Sequence, residues 1–130
     1  MKAFIAFSMR QEGVDSLFFT IRDRLKEAGV EAISSVSYHR STFHDSGGWN
    51  GWINKIVSGT DYMTRQPLFG ALVCTQRVLG RATAQMVEGF LAQGKEVLYY
   101  EDGAFAPVIR LQENDDEDWQ TGWSLIVEKY

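Results

Sequence analysis

Apolar residues recur along this chain with two different periods. Lys2 to Ser8 holds a short, nearly unbroken apolar run and reads as a buried strand. From Val14 the apolar positions Val14, Leu17, Phe18, Ile21 and Leu25 return at helical spacing, while Arg22, Asp23, Lys26 and Glu27 fall on the opposite side. Ala28-Gly29 ends that helix, and Val30 to Val36 reads as a second strand. Ser37 to Gly48 follows neither period and reads as a long loop, of a length that in compact domains is uncommon and often functional. Helical order returns with Trp49, Trp52, Ile53, Ile56 and Val57, with Asp45 or Ser46 upstream as a cap.

Ser58 to Pro67 fits neither template, whereas Leu68 to Thr75 is the clearest central strand in the chain. It runs into QRVLGRAT, a loop containing Gly80, and then into a helix over roughly Thr83 to Gln93 that turns Met86, Val87, Phe90 and Leu91 inward. Gly94 closes this helix, and Glu96 to Tyr100 is a fourth strand. EDGAFAP reads as a turn, Val108 to Leu111 as a fifth strand, and the acidic run Glu113 to Asp118 as the lead into a terminal helix from about Trp119.

Strands that alternate with helices in this way predict an α/β fold, a mostly parallel sheet of about five strands with helices on both faces. At 130 residues the chain is expected to form one domain, residues 1–130. In open sheets of this type ligands sit at the carboxyl ends of the strands. The segments after Ser8, Val36 and Thr75 are therefore the places to look for chemistry.

Composition narrows the choice. A hydrophobic fraction of 45% and a charged fraction of 23% are those of an ordinary globular protein. Its longest apolar run falls far short of the roughly 20 residues of a membrane span, and Ser8 and Arg10 interrupt the N-terminal apolar segment before it resembles a secretory signal. A formal net charge of −4 argues against a duplex nucleic acid partner, while leaving room for a small anion held by one or two arginines. The single cysteine, Cys74, lies in the apolar stretch GALVC and reads as a buried structural thiol; no disulfide framework is open to it, which fits a reducing cytoplasm.

Three loops carry candidate groups. At Ser8-Met9-Arg10, backbone N–H groups at the turn would offer a partly positive concavity to a phosphate or carboxylate, with Arg10 as a charged fork; the plainer reading is an exposed arginine beside a helix start. His39, His44 and Asp45 lack the supporting cluster of a metal site, so no metal is expected, although a loop histidine can donate a proton to a leaving base. Trp49 and Trp52 read as core anchors of a short helix, with stacking on a nucleobase as the alternative.

FIAFSMR, the amphipathic helix ending in LKEAGVEA, and GRATAQMVEGFLAQGKEVLYY together resemble the nucleoside deoxyribosyltransferase-like family, which includes nucleotide N-glycosidases; the resemblance spans roughly Lys2 to Tyr100. It implies a flavodoxin-like (Rossmann-like) domain, a nucleoside or nucleotide as small-molecule ligand, no cofactor, and cleavage or transfer at an N-glycosidic bond. Members open with a strand leading to a loop that faces sugar or phosphate, which Ser8, Met9 and Arg10 match. They also carry a pattern like Gly-x-Gly-Thr-x-Glu followed by Gly-Lys-Pro-Val, which Gly80, Thr83, Gly94, Lys95 and Val97 match, with Arg81 inside the same loop.

The position of the expected glutamate is occupied by Gln85. An amide can neither attack an anomeric carbon nor balance an oxocarbenium-like charge as a carboxylate does. The nearest carboxylate is Glu88, on a neighbouring part of the same helix surface. On this resemblance Gln85 or Glu88 faces the anomeric carbon, and Tyr38 or His39 contacts the base. Without the carboxylate, the same scaffold would bind or sense a nucleotide without turning it over. Tyr130 resembles the family's C-termini that reach a neighbouring site, which allows a homo-oligomer. FIAFS with the helix after it is also similar to the opening of TIR domains, which implies an NAD-binding or assembly role, but the chain has no Ser-x-x-Trp-x-x-x-Glu element near Thr83 to Glu88.

Overall fold

The computed structural model describes residues 1–7, 11–36, 48–114 and 122–128. Strands β1 (Lys2–Ala6), β2 (Glu31–Ser34), β3 (Ala71–Cys74), β4 (Val78–Leu79), β5 (Glu96–Glu101), β6 (Ala104–Glu113) and β7 (Trp123–Val127) join in the order β2-β1-β3-β5-β6-β7-β4. Helices α1 (Val14–Glu27), α2 (Trp49–Ser58) and α3 (Arg81–Ala92) cover the sheet. Among the described residues, no helix is long and apolar enough to cross a membrane.

The period of two in the strands sorts their side chains onto two faces. Ala3, Ile5, Phe7, Ala71, Val73 and Tyr100 pack on one side with Ile21 and Leu25 of α1. Phe4, Ala6, Leu72, Cys74, Val97 and Tyr99 pack on the other with Trp52, Ile53, Ile56 and Val57 of α2 and Met86, Val87 and Phe90 of α3. Trp52 is thus a core residue, its ring edge-on to Phe4 at 6.0 Å. Cys74 is fully buried, and burial pushes its thiol up to about 12, so it stays protonated at neutral pH.

The sheet is α/β but mixed, which corrects the expectation of a mostly parallel sheet of about five strands. Pairings β1–β2, β1–β3 and β3–β5 are parallel, while β5–β6, β6–β7 and β4–β7 are antiparallel. The cause is a two-residue turn. Glu101 pairs with Ala104, leaving only Asp102 (φ 50) and Gly103 (φ 83) between the strands, and two left-handed residues in succession form the tight turn that sends β6 back along β5. The Arg24 guanidinium donates to the Gly103 carbonyl and fastens this turn to α1.

Two further expectations give way. The fifth strand begins at Ala104 rather than Val108, with Pro107 paired opposite Leu98. The terminal helix expected from about Trp119, itself outside the described residues, gives way over Trp123–Val127 to β7, whose Trp123-Ser124-Leu125-Ile126-Val127 is a short, β-prone apolar run. The register slips between Val108 and Arg110, a bulge beyond which β6 continues alongside β7. Leu125 and Val108 enter the core on the α2 and α3 side, with Leu111, Trp123 and Val127 packed against it. The unassigned stretch after Ser58 forms a turn, closed by a bridge between Thr60 and Pro67; Asp61 Oδ1 accepts from the N–H groups of Met63 (2.8 Å) and Thr64 (3.0 Å).

Candidate functional site: a carboxamide-lined hollow between two helices

β1 and β3 are neighbours with Ala6 opposite Cys74, so their carboxyl ends emerge side by side. Thr75 Oγ1 donates to the Ala6 carbonyl at 3.1 Å and lies 3.2 Å from Gln11 Oε1. The connection from β1 to α1 is thereby tied to the end of β3. Phe7 N–H is satisfied by Ser35 Oγ at 2.8 Å in the interior, which links the end of β1 to the end of β2.

Beyond Thr75 the chain does not run freely to α3, as a loop would. Val78 and Leu79 form β4, pairing with Ser124 and Trp123 of β7, and the Arg77 carbonyl accepts from Leu125 N–H at 2.9 Å. Gly80 then caps α3 without a side-chain hydrogen bond, and neither α2 nor α3 has an acidic residue in its first turn. With no carboxylate in its own first turn, α3 keeps the partial positive charge of its first N–H groups.

Along α3, Ala84, Met86, Val87 and Phe90 face the sheet. Gln85 and Gly89 lie on the flank toward α2, where with Asn50, Ile53, Asn54 and Val57 they line a hollow of about 420 Å³. It is an open groove rather than an enclosed cavity, with Asn50 and Asn54 exposed along its rim. The helices lie side by side and are pinned at their C-terminal ends: Gln93 Nε2 donates to Ser58 Oγ at 2.6 Å, and Lys95 Nζ donates to the Val57 carbonyl at 2.6 Å. Lys95 also sits 5.1 Å from the Phe90 ring centre, and burial lowers its ammonium pKa.

Gly89 permits this close approach. A Cβ at this position would come within 2.6 Å of Val57 Cγ1 and 2.9 Å of Cγ2. Valine is stiff at χ1 within a helix and Val57 is buried, so the methyls have nowhere to turn. Gly89→Ala is therefore expected to destabilise the fold by about 1–3 kcal/mol, even though alanine is the better helix former by roughly 1 kcal/mol. Urea denaturation measures this directly, and in a Val57→Ala background the penalty should largely vanish.

Of the residues expected from sequence to form a site, Gln85 lines the hollow. Gly80, Arg81 and Thr83 form the start of α3, with Arg81 exposed; Glu88 is exposed further along the same helix; none of these four is among the described residues lining the hollow. Ser8, Met9, Arg10, Tyr38, His39, His44, Asp45 and Tyr130 lie outside the described residues. Asn50 and Asn54 are not among the residues expected from sequence, where they stand only as two polar positions beside the apolar stripe of WNGWINKIV. Among the described residues no group of three or more His, Cys, Asp or Glu is placed to hold a metal ion. No protein-family model, no curated protein and no solved structure matches the chain.

Proposed function

We propose that this chain is a nucleoside- or nucleotide-binding module on a flavodoxin-like scaffold, with its ligand held in the hollow between α2 and α3. The observation that carries this reading is the placement of Gln85. It stands where the resembled enzymes have their glutamate, and it lines the hollow in the company of Asn50 and Asn54, with no carboxylate among the described lining residues. Amides bind a hydrogen-bonding ligand but supply neither a nucleophile nor a counter-charge for glycosidic cleavage. The order β2-β1-β3-β5 of the parallel strands supports the scaffold, the start of α3 without a first-turn carboxylate supports tolerance of a negatively charged ligand, and the buried lone cysteine supports a cytoplasmic setting.

Turnover at an N-glycosidic bond is the second reading; it requires the ligand to reach Glu88, three residues beyond Gln85 on α3 and outside the described lining of the hollow. One experiment separates the two. The protein is incubated with nucleosides, nucleotides and NAD while thermal unfolding and release of free base are followed. A ligand at 100 times its Kd adds about 2.7 kcal/mol of apparent stability, which raises Tm by several degrees. The expected result is such a shift without free base, and binding about 3- to 10-fold weaker in Gln85→Ala. Base release abolished by Glu88→Ala would establish the enzyme instead, and no shift with any ligand would end the nucleotide reading.

A further inference from the structure

The two faces of the sheet are covered unequally. On one side the core of α2 and α3 extends to Val108, Leu111, Leu125 and Val127, whereas the cluster under α1 takes in nothing of β6 beyond Phe105 and nothing of β7. Val108 and Leu111, three positions apart, both face the α2–α3 core, so the bulge between them turns Ile109 and Arg110 together onto the opposite face. On β7 the alternation about Leu125 and Val127 places Ile126 and Glu128 on that same face. Ile109 is 57% exposed there, and Arg110 and Glu128 are exposed on either side of it, neither in an ion pair with a described residue. The bulge thus holds an isoleucine in water at the centre of a sheet face that no described helix covers.

We infer that this face is the contact of a two-fold symmetric dimer, sheet against sheet, in which Pro107, Ile109 and Ile126 of two copies of the chain bury one another. The charges select a second copy as the occupant. Along the strands Glu128, whose N–H donates to the Pro107 carbonyl, lies before Ile109, and Arg110, opposite Ile126, lies after it. A two-fold axis lying across the strands at Ile109 reverses that order, so Arg110 of each copy meets the partner's Glu128 and the pair forms twice. An apolar centre with opposite charges at its two ends is complementary to its own image, as an isologous contact requires. The face is only two strands wide, so the dimer is reversible and dissociates on dilution. α2, α3 and the hollow between them lie on the other side of the sheet and stay open in this dimer, which makes the contact independent of ligand binding.

Sedimentation velocity on the full chain, from about 1 μM to about 1 mM, tests this. The expected result is a monomer–dimer equilibrium whose dissociation constant rises about 10-fold or more in Ile109→Ser, because the truncated contact occurs in both halves of the interface. Ile109 is exposed within the monomer, so this variant keeps the fold, which an unchanged circular dichroism spectrum confirms. Arg110→Glu and Glu128→Arg should each weaken the dimer about 10-fold by setting like charges against each other, and the double variant should return to within about threefold of the parent. A monomer at every concentration would overturn the proposal. So would a dimer indifferent to Ile109→Ser, or one that the double variant fails to restore, since the copies would then meet through another surface or another geometry.

Discussion

Replacing Phe4 by alanine is expected to lower the unfolding free energy by about 3–5 kcal/mol. Phe4 lies in the middle of β1, fully buried, with its ring edge-on to Trp52 of α2 at 6.0 Å and to Phe69 at 5.1 Å. The truncation removes apolar area and leaves a cavity that β1, paired on both sides with β2 and β3, cannot close by shifting. Two ring contacts go with it, each worth about 0.5–1.5 kcal/mol beyond the area. For a domain with a total stability of about 5–15 kcal/mol this is a large share, equivalent to a fall in Tm of roughly 10–20 °C. Urea denaturation followed by circular dichroism measures it. Phe4→Leu, which retains most of the apolar volume, should lose much less; equal losses in the two variants would mean that the ring contacts, rather than the volume, hold α2 to the sheet.

That prediction rests on a part of the fold that was legible in the sequence. The apolar runs in β1 and β3 and the helical spacing in α1, α2 and α3 each follow one period, because each element has a face against the sheet and little else competes with that signal. The C-terminal third is less legible, for three physical reasons. Pro107 lacks an N–H and so argues against a strand, yet it is accommodated in β6 opposite Leu98. The Asp102-Gly103 pair that makes the tight turn reads in sequence only as a turn, because without a strand before Val108 there is no hairpin for it to close. In β7 a five-residue apolar run fits a buried strand or a helix segment equally, and only its partners, β6 and β4, decide between them.

The candidate site divides along the same line. Gln85 could be singled out because it replaces an expected carboxylate at a definite position. Asn50 and Asn54 could not, since two polar residues on the outer side of an amphipathic helix are what any solvated helix shows. They acquire a role only because Gly89 lets α3 approach Val57 closely enough to set Gln85 across from them, and that adjacency is a tertiary fact.

The second large effect is expected at Leu125, where the part of the fold that sequence did not anticipate meets the start of α3. Leu125 is almost fully buried among the residues that pack α2 and α3 on the sheet, and its N–H donates to the Arg77 carbonyl. β7 therefore holds the segment between β3 and α3 by backbone pairing while its side chain anchors β7 itself in the core. Leu125→Ala should cost about 2–5 kcal/mol, and Leu125→Met, which conserves volume, less than about 1.5 kcal/mol. The consequence reaches beyond stability. Once β7 is loosened, the amides of β4 and of the first turn of α3 lose their fixed surroundings, and they should exchange with solvent faster in Leu125→Ala than amides of α1, which pack on the opposite face. Hydrogen exchange at a temperature where the variant is still folded reads this directly. A uniform rise in exchange across the whole chain would show that β7 contributes only to global stability; a rise confined to β4, β7 and the start of α3 would show that the β4–β7 pairing keeps α3, and with it Gln85, in position.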